Sequence, residues 1–283
     1  MAVVFILINA VFVAASNVMG GVAARRLPLP IVVTIAGVTT IVVSLTIAAV
    51  MPGTPSAVGI GLGLLAGASA GVGLPLAYRA YAIGPVGIAG AIIAVVSTAV
   101  LTIVGLLTGD TMSPLRAIGL VLCVLAILLV TYRPPVDGKR PSLRGPLLAF
   151  IAALLFSVFV VSISFALEAD GFWPVFAARI SITIVAALLL VRMLSREGGR
   201  AVAVHLRGRH VLIPVVTGIA DILGNLFLVL ALQAGDLVLL AILAPAAPIF
   251  TAIIGRVFLR ELMTRWQITG LVVASGALVL ASL

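Results

Sequence analysis

Charged residues are unusually scarce in this sequence. Only 9% of its 283 residues are Asp, Glu, Lys or Arg, whereas 63% are hydrophobic, and the mean hydropathy is +1.39. A soluble domain usually carries roughly a quarter of its residues as charged side chains. So few charges exclude a soluble surface of ordinary composition. The sequence therefore predicts an integral membrane protein.

Cysteine and histidine are also scarce. The single cysteine, Cys123, excludes an intramolecular disulfide, and the two histidines are His205 and His210. No cluster of metal-binding residues has the usual spacing, and no glycine-rich loop follows a strand to hold a phosphate. Residues 67–71 match the G-x-S-x-G nucleophile pattern, which needs a strand-to-helix elbow and a His/acid pair. We therefore expect no metal, no cofactor and no enzymatic activity.

Long apolar runs are what the sequence has in abundance. They are continuous, which excludes the alternating pattern of a transmembrane barrel. A spanning helix needs about 20 apolar residues, and breaks rich in Pro, Gly and charge separate ten such runs. The predicted fold is an all-α integral membrane protein of ten transmembrane helices, with no separate soluble domain. The predicted spans are 2–23, 31–51, 57–78, 86–107, 114–132, 146–167, 174–193, 211–232, 237–258 and 266–283.

The basic residues lie on one side of this predicted topology. All but Arg116 and Arg179 of the 17 Lys and Arg residues fall at odd-numbered loops. Cytoplasmic loops hold such an excess, so both termini are predicted to face outward. The basic loops, which give the chain its net charge of +9, then face anionic lipid head groups. We therefore do not expect nucleic acid as a partner. Abundant Ala, Val, Gly and Arg with one Lys indicate a GC-rich bacterium, hence a multi-pass protein of the cytoplasmic membrane.

An internal repeat divides the chain. Shifting the sequence by 151 residues aligns glycines, an acid pair and a hydroxyl pair. We predict two five-helix repeats, 1–132 and 146–283, joined by a basic cytoplasmic linker, 133–145. Because five is odd, the second repeat must be inverted, which is typical of secondary transporters with a midplane site. The matched positions include Gly84 with Gly235, Asp110 with Glu261, Met112 with Met263, and Ser113 with Thr264.

Two segments of the repeat carry a family resemblance. One reads Tyr78-Arg-Ala-Tyr-Ala-Ile-Gly-Pro-Val-Gly-Ile-Ala-Gly, and its second copy begins at Leu230 and runs through Ala-Pro-Ala-Ala-Pro248 to Phe258-Leu-Arg-Glu261. The sequence resembles the drug/metabolite transporter superfamily, in its ten-helix EamA-type branch. The resemblance implies ten helices around a central cavity and the export or exchange of small metabolites or drugs.

Asp221 is the leading candidate for a functional residue. It falls near the middle of the eighth predicted span, where a charged side chain costs at least ~2.5–3.5 kcal/mol. We hypothesise that Asp221 couples proton movement to substrate movement, and that Asn225, one turn further on, contacts substrate or orients the acid. The alternative is a packing role, with Asp221 bound to Asn225 or paired with Arg179.

Three other polar residues inside predicted spans are candidates for a functional role. Arg179 can attract an anionic substrate, pair with Glu168 or Asp170, or extend its side chain to the membrane interface. Asn9 and Asn17 are eight positions apart in the first span. They can line one stripe of the cavity or hydrogen-bond to neighbouring helices.

Prolines and glycines mark further features. Pro245 and Pro248 interrupt the ninth span, either beside the substrate path or as a simple kink. Asp110 and Glu261 are predicted to be structural. Glycines recur every four residues along the third span, which predicts a close helix contact. These glycines are Gly59, Gly63, Gly67 and Gly71.

These features favour a secondary transporter that moves a small organic solute in a lipid bilayer, with protons as coupling ion and export as direction. A cation permease or channel, for instance for Mg²⁺, is one alternative, although a cation path favours several acids near the midplane. A non-transporting scaffold or sensor is another. A monomer is compatible with this interpretation.

Overall fold

The computed structural model describes residues 1–24, 26–83, 86–131, 143–198, 208–235 and 237–243, together with isolated positions between 246 and 276. Within these ranges every regular element is helical, so the predicted all-α class is confirmed there. The helices are α1 (Ala2–Ala24), α2 (Leu29–Val50), α3 (Ala57–Ile83), α4 (Val86–Leu107), α5 (Pro114–Thr131), α6 (Arg144–Asp170), α7 (Trp173–Glu197), α8 (Leu212–Ala234, after a 3₁₀ turn Arg209–Val211) and α9 (Leu237–Leu243).

Six of these helices have the length and apolar composition needed to cross a bilayer, counted over the described part of the chain. Their outward faces carry exposed aliphatic side chains such as Val42, Leu65 and Leu188, which suit contact with lipid tails. Most of the linker 133–145 and of the tenth span lies outside the described residues. The six apolar stretches are Ala2–Gly20, Leu29–Val50, Ala57–Ala77, Arg144–Ala166, Trp173–Arg196 and Leu212–Ala234.

Proline and glycine set several helix ends. Helix α5 begins at Pro114, whose fixed φ suits the first helical position. Gly171 follows α6 with φ of 57°, and Gly53 follows α2 with φ of 142°. Residues other than glycine rarely adopt such positive φ angles. Glycine therefore allows the chain to turn at these two positions.

The helices pack mainly across the two halves of the chain. Helix α3 lies along α6 and α7, and α1 lies along α8. Helix α2 contacts both α7 and α8, whereas α4 contacts α6 and α9. Neighbours in sequence, such as α1 and α2, contact each other less. The core is therefore shared between the halves.

The glycine face of α3 lies directly against the backbone of α7. A Cβ atom on Gly63 would overlap the carbonyl oxygen of Pro174, and one on Gly67 would overlap that of Ala178. The predicted close helix contact is thus confirmed. Ser69 on the same helix donates to the carbonyl of Ala66 at 2.7 Å. The G-x-S-x-G segment therefore lies within a continuous helix and forms no nucleophile elbow.

Candidate functional site

An ion pair joins α7 to α8. The Nη1 atom of Arg179 lies 2.6 Å from the Oδ2 atom of Asp221. The arginine side chain is 7% exposed, whereas the aspartate side chain is 34% exposed. Among the partners considered for Arg179, the structure pairs it with Asp221, Asp170 binds Ser56 instead, and the side chain of Glu168 lies outside the described residues. The pair is thus buried at its cationic end and partly open at its anionic end.

Helix α2 packs against both helices that carry the ion pair, α7 and α8. At Gly37 it meets α7, where an added Cβ would lie 2.7 Å from the hydroxyl oxygen of Thr183. Gly218 of α8 packs against the same helix, at the carbonyl of Ala36. The Thr183 hydroxyl in turn donates to the backbone carbonyl of Arg179 at 2.7 Å. Small residues therefore let three backbones approach closely at this level.

Arg179 retains a hydrogen-bond donor that the described residues do not use. Its Nε atom is buried and has no partner among them. A guanidinium group offers five N–H donors in a planar fork, and a buried unpaired donor is unfavourable. The donor lies next to the partly open carboxylate of Asp221. The partly exposed carboxylate can accept a hydrogen bond from a bound molecule, whereas the buried Nε atom is out of that molecule's reach.

The asparagines bind the backbone of α8. Asn225 is buried and its Nδ2 atom donates to the backbone carbonyl of Asp221 at 2.9 Å. Its amide thus contacts the main chain and not the carboxylate that we expected it to orient. Asn9 on α1 donates to the carbonyl of Gly224 at 2.7 Å, which is the interhelical alternative. Asn17 is exposed on α1, and Pro245 lies outside the described residues.

A second polar cluster was not recognised from the sequence. The buried carboxylate of Asp170, at the end of α6, accepts bonds from the Ser56 backbone N–H at 3.1 Å and the Ser56 hydroxyl at 2.7 Å. The Ser56 hydroxyl oxygen accepts the N–H of Gly59 at 2.9 Å, as a helix N-cap does. An acid at a helix C-terminus opposes the helix dipole, and that was the available signal.

Two further contacts link the halves. Nη1 of Arg26, just after α1, lies 3.4 Å from Nδ1 of His210, just before α8, and both side chains are exposed. The carboxylate of Asp110 accepts the N–H of Val238 in the first turn of α9 at 3.2 Å. This contact agrees with the structural role predicted for Asp110, because it satisfies a free N–H at a helix start.

Comparisons with known proteins agree with this architecture. The model of the EamA-like transporter family matches residues 143–283, the second half of the chain. No curated protein sequence matches significantly. A solved structure described only as the crystal structure of a protein is 16% identical, with a TM-score of 0.79 over 100% of this chain and 98% of that one. At that identity the likeness shows a shared fold.

The family match and the helices together define the class of protein. The family implies a small-molecule substrate and a lipid bilayer environment, and it is non-enzymatic in general. Six apolar helices of spanning length among the described residues fit a multi-pass membrane protein. The second half of the chain, residues 143–283, belongs to the EamA-like transporter family.

Proposed function

We propose that the protein is a secondary active transporter of the bacterial cytoplasmic membrane that exports small organic metabolites or drugs in exchange for protons. The observation that carries this proposal is the Arg179–Asp221 pair, which joins two apolar helices and leaves the carboxylate partly open. Ionisable residues within membrane helices are costly and usually line a substrate or proton path. Family membership supports a small organic substrate.

The helix contacts support an inverted repeat of ten helices. In an inverted repeat, each helix has an equivalent five places away in the other half. The equivalents of α3 and α6 are α8 and α1, and both of these pairs are in contact. Likewise, the equivalents of α3 and α7 are α8 and α2, and both of these pairs are in contact. A pseudo-symmetric arrangement of this kind allows alternating access around a central site.

The two polar contacts at the helix ends follow the same equivalence. Asp170 ends the first helix of the second half and binds Ser56, which precedes the third helix of the first half. Arg26 follows the first helix of the first half and contacts His210, which precedes the third helix of the second half. These contacts lie at opposite ends of α2, about 33 Å apart for 22 residues.

The two contacts differ in strength, and this difference defines a state of the transporter. The Asp170 contact is partly buried and includes a 2.7 Å bond, whereas the Arg26 contact is exposed and 3.4 Å long. The arginine distribution assigns the Asp170 end to the outer side. In the proposed cycle this conformation is closed outside, and outward opening separates Asp170 from Ser56 while the inner contact tightens.

Proton coupling follows from the chemistry of the ion pair. Ion pairing with Arg179 needs the negative charge of Asp221, so pairing and protonation are mutually exclusive. While Asp221 is ionised, its partly open carboxylate can accept a hydrogen bond from a donor on the substrate, and a proton on Asp221 removes the charge that strengthens this bond. Substrate and proton thus compete at one pair of side chains, as antiport requires.

The first experiment identifies the solute. Solutes inside and outside cells are compared for wild type, Asp221→Asn and an empty vector, with Asp110→Asn as a matched control that removes an acid distant from the pair. We expect wild type and Asp110→Asn to redistribute a solute that Asp221→Asn does not concentrate. Three profiles equal to that of the empty vector would contradict export and favour a scaffold or sensor.

A second experiment separates proton coupling from folding. In proteoliposomes, a pH gradient should drive that solute uphill with wild type and not with Asp221→Asn, while both should exchange labelled for unlabelled solute. Normal uphill transport and an unchanged pH profile for Asp221→Asn would contradict coupling. A cation permease is disfavoured because the Arg179 charge beside Asp221 repels a cation.

A further inference from the structure

A cavity of about 670 Å³ lies between the first turns of α2 and the C-terminal parts of α3 and α7. Its walls are mainly apolar, and its size is within the range of about 300–1,000 Å³ typical of small-molecule sites. The cavity is separate from the ion pair, whose aspartate lies on α8. Apolar wall residues include Val33, Leu74, Ile182, Val185, Leu189 and Met193.

Three arginines border this cavity. Arg79 lies near the end of α3, and Arg192 and Arg196 lie one turn apart near the end of α7. All three side chains are exposed, and none of the described residues that line the cavity is acidic. Like charges this close repel one another, so an anion that sits among them lowers the electrostatic free energy.

The start of α2 adds to the positive potential. Pro28, Leu29 and Pro30 line the cavity, and this helix has no acidic residue in its first turn and no side-chain cap. A helix N-terminus carries roughly half a positive elementary charge. Helix dipole and arginines therefore act together at one end of an otherwise apolar cavity.

We propose that this cavity binds one anionic phospholipid, with its phosphate among the arginines and an acyl chain along the apolar walls. A soluble anion would bind the arginines and leave the apolar walls uncovered. A neutral lipid would cover the walls and leave the arginines without an anionic partner. The arginine count assigns this end to the cytoplasmic leaflet, which is rich in anionic lipid. The proposal rests on membrane location and not on the transported solute.

The test uses the full chain purified in neutral detergent, with lipid binding followed by native mass spectrometry. The probes are palmitoyl-oleoyl phosphatidylglycerol, phosphatidylcholine with the same chains, and glycerol 3-phosphate. We expect one phosphatidylglycerol bound per chain, in preference to phosphatidylcholine, and no retention of glycerol 3-phosphate. Equal binding of both lipids would overturn the proposal, as would binding of glycerol 3-phosphate at comparable concentration.

Variants locate the site. Arg192→Gln and Arg196→Gln should each weaken phosphatidylglycerol binding by about 5-fold, the value expected for one basic residue near a phosphate. Arg144→Gln removes an exposed arginine at the same predicted side but outside the cavity, and it should bind as wild type does. Val33→Phe places a larger side chain in the apolar part of the cavity without a change of charge. It should weaken the binding of both phosphatidylglycerol and phosphatidylcholine. The proposed site would be contradicted if Arg144→Gln weakened phosphatidylglycerol binding as much as the cavity variants do. It would also be contradicted if the cavity variants bound phosphatidylglycerol as wild type does.

Discussion

Removing either partner of the Arg179–Asp221 pair should destabilise the protein, and removing both should cost less than the two single changes together. Asp221→Asn leaves a guanidinium that is only 7% exposed without its counter-charge. Arg179→Gln leaves a carboxylate that is 34% exposed and therefore reaches solvent more easily. The aspartate substitution should thus be the more costly of the two.

The expected size follows from burial. Breaking a fully buried ion pair costs about 3–5 kcal/mol, whereas exposed pairs contribute about 0–1 kcal/mol. With one end open, we expect about 2 kcal/mol for Asp221→Asn and about 1 kcal/mol for Arg179→Gln, scaled between those limits. The double variant should lose about 1.5 kcal/mol, which corresponds to a coupling free energy of about 1–2 kcal/mol.

Reversible unfolding in mixed detergent micelles measures these free energies. Trp173 at the start of α7 packs edge-to-face on Phe176, so its fluorescence reports on the helix that carries Arg179. A coupling free energy below about 0.5 kcal/mol would refute the argument, since distant independent sites already show that much. So would a larger loss for Arg179→Gln than for Asp221→Asn.

Three further predictions concern packing and the outer contact. Gly67→Ala should cost about 1–3 kcal/mol of unfolding free energy because its methyl group overlaps the α7 backbone, whereas Gly61→Ala, with open space around it, should cost nothing; equal effects would contradict the glycine face. Asn9→Leu should cost about 0.6–1.7 kcal/mol by removing the bond to α8, measured by the same unfolding. Asp170→Asn should weaken the bonds to Ser56 and increase labelling of an engineered cysteine on the outer side by an impermeant thiol reagent; unchanged labelling would count against a gating role.

Most helix bounds were predictable because they depend on local sequence. Helix α4 begins and ends where predicted, since turn residues flank a continuous apolar run. Helix α3 extends to Ile83, beyond its predicted end at 78, and the added turn includes Ala80, which is buried against Ala149 of α6. Helix α7 likewise extends past 193 through Arg196, a favourable residue at a helix C-terminus.

The side-chain pairings were less predictable because they depend on tertiary contact. The sequence identified Asp221 as costly in a membrane and named Arg179 among its possible partners, yet spacing does not choose among partners on other helices. The contact of Asp170 with Ser56 joins residues 114 positions apart, and no local pattern links them. Asn225 was predicted to contact substrate or to orient the carboxylate, whereas its Nδ2 atom donates to the backbone carbonyl of Asp221, one turn back.

The pairing of α1 with α8 has a consequence for biosynthesis. Asn9 is 215 residues before Gly224, the residue whose carbonyl it binds. At about 5–20 residues per second, the ribosome adds that length in about 10–40 s. During this interval α1 lies in the bilayer without the carbonyl that Asn9 binds in the finished protein, among helices that it contacts little there. The first half therefore completes its packing only when the second half arrives, and the membrane holds an unfinished protein until then.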